Sequence, residues 1–564
     1  MSTGIAYGGR RPLKEPGRSL TVSALSPLKN RIFLAIWLAS LVSNLGTWMQ
    51  NVGAAWLMTS LSTSPLMVSV LQSAASLPIV VLALPAGALA DIIDRRKLLL
   101  ISQALMLVAA GVLGVLTILK LTTPYSLLGL TFALGAGAAM NAPAWQAIVP
   151  ELAPREELGS ALALSGINFN FARALGPALG GFVVSLGGAG ANFILNAASF
   201  LAVIVVLYAW RRPKRESVLP AERVIGAMRA GLRYARHAVP LRTVLIRVGV
   251  LIIGSSAMWA VLPLVARYQL GMNATGYGIL LGFFGAGAVG GGMLLPYLEQ
   301  RHSRDMIAAS STVLLAAEFA TLAMVRNIPA VYAAMFIGGG AWICAMTEFN
   351  VSAQLAVPEW VRGRALACYQ VVLQGGIAMG SAIWGAVAQH LSVPDSLLLA
   401  AAVCLAGIPF VFPFRLARAE GLELGQAPPS PVPELAGELD PESGPVLVSV
   451  EYLIDPRRAP EFQALMQGVR GIRRRDGAIF WGMFFDATQP GRFVEYFVVE
   501  TWAEHVRQHS RATLDDLELI KRVRSFHIGE NDPNVTHQIS AQVITRGGAI
   551  IFPAYVPPSG SVEP

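Results

Sequence analysis

Gly87-Ala-Leu-Ala-Asp91-Ile-Ile-Asp94-Arg95-Arg96-Lys97 is a short charged stretch set between two long apolar runs, and its reading decides the fold. Residues 65–90 before it and 98–119 after it hold no Asp, Glu, Lys or Arg. Each run is long enough to cross the roughly 30 Å hydrocarbon core as a helix, in which every backbone group has to bond within its own segment. The charged stretch is therefore the turn between two membrane-crossing helices, and its cations mark the face it occupies.

Working outward, twelve such runs occur, near residues 31–58, 65–90, 98–119, 125–147, 157–186, 190–210, 243–266, 276–298, 305–325, 329–351, 363–390 and 395–413. Composition agrees: 54% of the 564 residues are hydrophobic and 14% charged, too apolar for a chain of ordinary soluble domains. The net charge of +9 does not point to nucleic acid, because Lys and Arg sit in short clusters between apolar runs, as loops at an anionic membrane surface do. Cys344, Cys368 and Cys404 lie in apolar stretches without metal-ligand or disulfide spacing and read as buried thiols.

Cations alternate along the loops. Arg95 to Lys97, Arg155, the stretch from Arg211 to Arg247, Arg301 with Arg304, Arg362 with Arg364, and Arg415 with Arg418 lie on one face. The opposite loops hold only Lys120, Arg267 and Arg326. The positive-inside rule then puts both termini in the cytoplasm, which needs an even number of spans. Residues 1–30 are polar and basic and lack the apolar core of a removable signal, so they read as a cytoplasmic tail.

The basic linker 211–242 separates a six-helix bundle at 31–210 from a second at 243–415. Gln146 to Glu151 reads Q-A-I-V-P-E and Gln354 to Glu359 reads Q-L-A-V-P-E, each after the fourth span of its half, which marks an internal repeat. Residues 416–445 form a Pro- and Glu-rich linker expected not to pack. Beyond it, period-two alternation (Val446, Val448, Val450, Tyr452) and two interleaved helical stretches predict β-α-β-β-α-β over 446–545, a ferredoxin-like soluble domain with a last strand near 535–544, before a flexible tail at 546–564.

The Gly87 stretch resembles the loop signature of the major facilitator superfamily, G-x-x-x-D-R/K-x-G-R-K/R-K/R. Gly87, Asp91, Arg95 and Arg96 match, whereas Ile92 stands in place of a basic residue and Asp94 in place of glycine. The resemblance implies that Asp91 and the arginines form a conformational latch; alternatively, Asp91 merely ends the span. Gly176-Pro177-Ala-Leu-Gly180-Gly181 is similar to the superfamily's antiporter motif, G-P-x-x-G-G, which implies export; on spacing alone it reads equally as a kinked packing helix. The arginine that many proton-coupled exporters carry in span four is replaced here by Thr131. The whole chain resembles the bacterial transmembrane secretion effector branch, of the drug:proton antiporter-3 type that includes enterobactin exporters, with a tail like antibiotic-biosynthesis monooxygenase domains.

That resemblance implies a secondary exporter of small drug- or siderophore-like molecules in the bacterial inner membrane, with protons as coupling ion. A lipid or lysophospholipid transporter, and an exporter fused to a cofactor-independent monooxygenase, remain alternatives. No enzymatic activity, cofactor or metal is expected, and the tail is a candidate for self-association. Within the spans, Arg173 costs about 2.5–3.5 kcal/mol at the bilayer centre, so it should face protein or a water-filled cavity. It shares a helical face with Asn170 and Pro177 and ranks first as a substrate or coupling residue, with a structurally paired arginine as the alternative. Glu348 in span ten is the candidate proton carrier, and Glu318 in span nine reads as structural. Asn44, Asn51 and Trp48, with Gln50, line span one as candidate substrate contacts, or bond between helices. In the tail, His505 and His509, and the run Arg473 to Asp476, read as solvated helix surface and helix end.

Overall fold

A helix of 52 residues would be about 78 Å long, more than twice the hydrocarbon thickness, so Leu158–Ala209 cannot cross a bilayer once. It folds back at Gly188, whose φ of 73° lies in the left-handed region that glycine enters without strain. The legs, residues 158–187 and 189–209, lie side by side: Asn192 Nδ2 donates to the Gly180 carbonyl at 3.0 Å, although twelve residues separate them. This computed structural model describes residues 25–92, 94–152, 154–210, 224–416, 423–428, 439–540, 544–546 and 549–551. Eleven helical segments in it are long and apolar enough to span a membrane, and the folded one counts twice, giving twelve crossings.

The first bundle comprises Arg31–Leu61, Pro65–Ile92, Arg95–Ile118, Pro124–Leu152 and the two legs. The second comprises Val239–Leu264, which runs on as a π turn to Gln269, then Ala274–Glu299, Arg304–Met324, Ile328–Leu355, Arg362–His390 and Val393–Ala406. Short polar residues start many of these helices by accepting orphan amide protons. Asn30 bonds Ile32 N, Asn273 bonds Gly276 N, Ser303 bonds Met306 N and Asn327 bonds Ala330 N. A helix on the connector between the bundles, Val224–His237, buries Ala230, Tyr234 and Ala235.

The bundles meet along two seams, the second span against the eleventh and the fifth against the eighth. Among the described residues, the hydrogen bonds that join them lie on one side. Ser64 Oγ donates to Gln389 Oε1 (2.7 Å), Ser69 Oγ to Ala260 O (3.1 Å), and Ser73 Oγ to Ala378 O (2.6 Å). Arg267 reaches Thr59 and Ser60, and the Tyr268 hydroxyl donates to Thr59 O. All but the Ser73–Ala378 bond, which lies near mid-helix, belong to the ends of the helices remote from Val224–His237, so the bundles are sealed from mid-depth to that far face.

In the soluble domain, strands β1 (Val446–Leu453), β2 (Phe480–Phe485), β3 (Arg492–Val499) and β4 (Asn534–Ile539) form an antiparallel sheet of order β2-β3-β1-β4, the ferredoxin-like arrangement. Helices Ala459–Asp476, Trp502–Arg511 and Leu514–Arg524 complete it. Three sequence expectations differ. The second helical stretch breaks at Ala512, because Thr513 caps a new helix with a reciprocal Asp516 capping box. The last strand ends at Ile539, and Ile544–Arg546 pairs instead with Ala549–Ile551. Part of the linker does pack: Ala427 N donates to Ala512 O and Leu514 N to Gly425 O, so residues 423–428 lie against the domain.

Candidate functional site

At the start of the third span, Asp94 accepts from Lys97 N at 3.1 Å and caps a helix that begins at Arg95. This explains an acid where the superfamily loop has glycine: the three cations form the helix's first turn instead of a free loop. Arg95 pairs with Glu151 at 2.9 Å, the glutamate that closes the Q-A-I-V-P-E repeat. Arg96 donates to the carbonyls of Leu207 and Tyr208 (2.8 and 2.7 Å), where a cation meets the negative end of the sixth span. Gly87 and Asp91 lie in the last turns of Pro65–Ile92, and the surroundings of these two lie outside the described residues.

Halfway along the fifth span, Arg173 stands where the two bundles meet. Its guanidinium carbon lies 5.9 Å from the ring centre of Trp48 in the first span and 6.0 Å from that of Phe284 in the eighth. Trp259 of the seventh span touches Trp48, Phe284 and Trp342 at 6.5, 5.6 and 6.3 Å between ring centres, and Phe169 meets Trp48 at 6.4 Å. Arg173 Nε is buried with no hydrogen-bond partner, and among the described residues no carboxylate forms an ion pair with this arginine. The result is a mid-depth site with one cation and aromatic walls contributed by both bundles.

The glycines of the G-P-x-x-G-G run permit close contact on two sides. A Cβ on Gly176 would stand 2.5 Å from Trp48 Cβ, and one on Gly180 2.7 Å from Met49 Cα, so both face the first span. Gly181 faces the second bundle: a Cβ there would lie 2.4 Å from Ala274 O and 3.0 Å from Gly278 Cα. The motif thus sets both the position of Trp48 and the tightness of the far-face seam.

The remaining candidates are scattered. Asn44 Nδ2 donates to Asn168 Oδ1 at 2.9 Å, linking the first and fifth spans within one bundle. Asn51 is exposed, and exposed Asn170 donates to Gly166 O of its own helix at 3.0 Å. Gln50 is buried and accepts from Asn196 Nδ2. Glu348 is fully buried and pairs with Arg304 at 2.8 Å, so it lies at the ninth span's start and not beside Arg173. Glu318 is buried with both carboxyl oxygens unbonded, packed against Gly338 of the tenth span.

Sequence reasoning missed a buried charge network where the soluble domain meets the membrane part. Arg475 bonds Asp476 (2.7 Å) and Asp516 (2.6 Å), and Arg473 pairs with Glu495 (3.0 Å). Glu504 receives Arg511 and Arg233, both at 2.7 Å, the latter from the connector helix. Arg511 stacks over Trp360 at 4.7 Å, and the Tyr234 hydroxyl donates to Ala356 O, which ties the network to the loop before the eleventh span. A cavity of about 440 Å³ lies in this joint, lined by Gln354, Glu359, Arg362, Gln426 and Arg511 among others. The histidines also depart from expectation: His505 is only 3% exposed and packs on Trp502 and His537. Burial, and then the rings of His509 and His537, push the His505 imidazole down to about 3. The three-residue Arg473–Arg475 run gave no local sign of this, since its partners lie up to 41 residues away.

A family model described as "Transmembrane secretion effector" matches residues 22–545. The chain belongs to that family. The chain is 24% identical over 410 residues to the multidrug efflux pump Tap of Mycolicibacterium fortuitum, covering 70% of this chain and 98% of that one. It is 26% identical over 305 residues to the enterobactin exporter EntS of Salmonella typhimurium, covering 53% of this chain and 72% of the relative. Its fold is similar to the nucleoside transporter NupG (D323A mutant), with a TM-score of 0.56 at 13% identity over 68% of this chain and all of that one. It is a multi-pass membrane transporter of the major facilitator type.

Proposed function

We propose that the protein is a secondary active exporter of small amphipathic molecules, drug- or siderophore-like, that works by alternating access with both termini in the cytoplasm of the bacterial cell. One observation carries this reading: among the described residues the hydrogen bonds between bundles run from mid-depth to the far face, while the cation-rich loops lie with the soluble domain. By the positive-inside rule the cation-rich face is cytoplasmic, so this is the conformation that loads from the cytoplasm. Rocking the bundles about the Arg173 site breaks the far seam and releases substrate outward. Gly87, Asp91, Arg95 and Arg96 form the latch that holds the cytoplasmic side closed in the outward state. Names of the relatives Tap and EntS, an efflux pump and an exporter, support the direction.

Protons are the proposed coupling ion and Glu348 the proposed carrier. Its pairing with Arg304 supports this, since protonation of a carboxylate ends its charge-assisted bond and frees the arginine for a second arrangement. Everted vesicles carrying the protein should accumulate a fluorescent amphiphile when respiration supplies a proton gradient, and a protonophore should abolish the uptake. Uptake that survives the protonophore removes the coupling, and no uptake of any amphiphile removes export. Asp91→Asn should cut the rate at least tenfold; a rate near wild type reduces Asp91 to a span terminus.

A further inference from the structure

Resting on the reading of the Arg173 site as the transport site, we infer that the transported substrate is an amphipathic organic anion, whose charged head pairs with the Arg173 guanidinium while its apolar body lies on Trp48 and Trp259. A guanidinium is always charged and carries five N–H donors in a rigid fork suited to carboxylate or phosphate oxygens. Buried arginines elsewhere in this chain have anionic partners: Arg475 has Asp476 and Asp516, and Arg511 has Glu504. Arg173 lacks one. Its Nε is buried and unbonded, and among the described residues its neighbours on both sides are the aromatic faces of Trp48 and Phe284. Aromatic rings attract the cation from the sides but accept no strong hydrogen bond, so the buried Nε stays unsatisfied.

The place of this charge matters as much as its lack of a counter-ion. Trp48 and Phe169 come from the first bundle, and Trp259, Phe284 and Trp342 from the second, so a ligand here would contact both moving parts. A neutral or cationic amphiphile would use the aromatic walls and leave the guanidinium bare, or be repelled by it. An anion completes the site. A free organic acid and an anionic lipid share this chemistry, and binding experiments separate them.

The full chain in zwitterionic phosphatidylcholine nanodiscs is titrated with 2-naphthoate, 2-naphthalenemethanol and 2-naphthylmethylammonium, read by quenching of tryptophan emission. A second arm compares oleoyl lysophosphatidate with monooleoylglycerol. At least tenfold tighter binding of the anion than of its neutral counterpart is expected in one arm. Preference in the naphthyl arm alone assigns the site to organic acids, preference in the lysolipid arm alone assigns it to anionic lipids, and preference in neither overturns the inference.

Arg173→Gln should bring the anion-to-neutral ratio within twofold of unity, and Arg173→Lys should keep most of the preference; an anion preference unchanged in Arg173→Gln overturns the assignment to this residue. A measurement free of variants covers the case in which Arg173→Gln does not insert. Phenylglyoxal modification of wild-type Arg173, read by mass spectrometry, should fall at least fivefold with the preferred anion bound, and unaltered modification overturns the inference. Vesicle flux distinguishes the two levels: pumping of neutral and cationic amphiphiles without anion preference keeps export and sinks this inference, and anion binding without flux of any amphiphile sinks export and leaves Arg173 an anion-binding site only.

Discussion

Replacing Gly181 by alanine should tip the bundles towards the state open at the far face. The added Cβ would lie 2.4 Å from Ala274 O and 3.0 Å from Gly278 Cα, roughly 1 Å inside ordinary contact between heavy atoms. Both obstacles are backbone, so no side-chain rotation relieves them. Overpacking of this kind costs about 1–3 kcal/mol. The cost falls on the conformation in which the fifth and eighth spans touch at this seam and vanishes once they part, so the equilibrium should move by about 5- to 150-fold. Spin labels at exposed positions 121 and 391, one on each bundle at the far face, would report this as a longer inter-label distance in pulsed electron resonance. Gly278→Ala should act in the same direction, since its Cβ would meet Pro177 O at 2.6 Å. Gly166→Ala, in the same span with nothing within 4 Å, is the control. A distance distribution equal to wild type in Gly181→Ala, with normal thermal stability, would refute the idea that this contact opens during the cycle.

Arg233→Ala removes the connector helix's 2.7 Å bond to Glu504, which should weaken docking of the soluble domain by about 1–3 kcal/mol and raise hydrogen exchange in residues 228–237; unaltered exchange would show the contact to be idle. The His505 imidazole ionises near 3 when folded and near 6.5 when unfolded, so the unfolded chain binds the extra proton as pH falls below about 6.5. Domain stability should then drop by up to about 1.4 kcal/mol per pH unit between pH 6 and 4, relative to His505→Asn, in denaturant titrations followed by fluorescence; parallel pH profiles for the two proteins would exclude a buried neutral imidazole. A Cβ on Gly338 would lie 2.0 Å from Glu318 Oε2, so Gly338→Ala alone should lower the melting temperature of the detergent-solubilised protein, while Glu318→Ala in the same chain should restore at least half of the loss. Additive losses in the double variant would mean that the two positions do not share this space.

The membrane part was legible because lipid enforces a simple rule, that each crossing is a long run satisfying its own backbone. The crossings on either side of Gly87 to Lys97 could therefore be assigned from composition alone, although Gly87–Ile92 and Arg95–Lys97 belong to the helices themselves and not to a turn. The β-order of the tail was equally legible from alternation at Val446 to Tyr452, where one face is buried and the other half-buried. Charged residues were read less well. Asp94 looked like a departure from the superfamily loop, yet an acid before a helical run is a capping signal that local reasoning could have found. Arg233 and Glu504, 271 residues apart, offer no such signal, because an ion pair between distant elements is written in neither neighbourhood. Glu348 was legible as a carboxyl within span ten, but only the arrival of Arg304 from another helix fixes what it bonds. Arg173 was singled out from its cost in hydrocarbon, while its aromatic neighbours Trp48 and Phe284 come from two other spans and could not be read along the chain.

The corner at Gly188 makes two crossings from a single helical run with one residue out of register. It leaves no slack. A tilt imposed on residues 158–187 is passed to residues 189–209 as if through a welded elbow, and Arg96, gripping Leu207 and Tyr208, carries it on to the third crossing. Splicing a few flexible residues into that elbow should let ligand engage one crossing while the others stand still, uncoupling occupancy from the swing of the half-molecule.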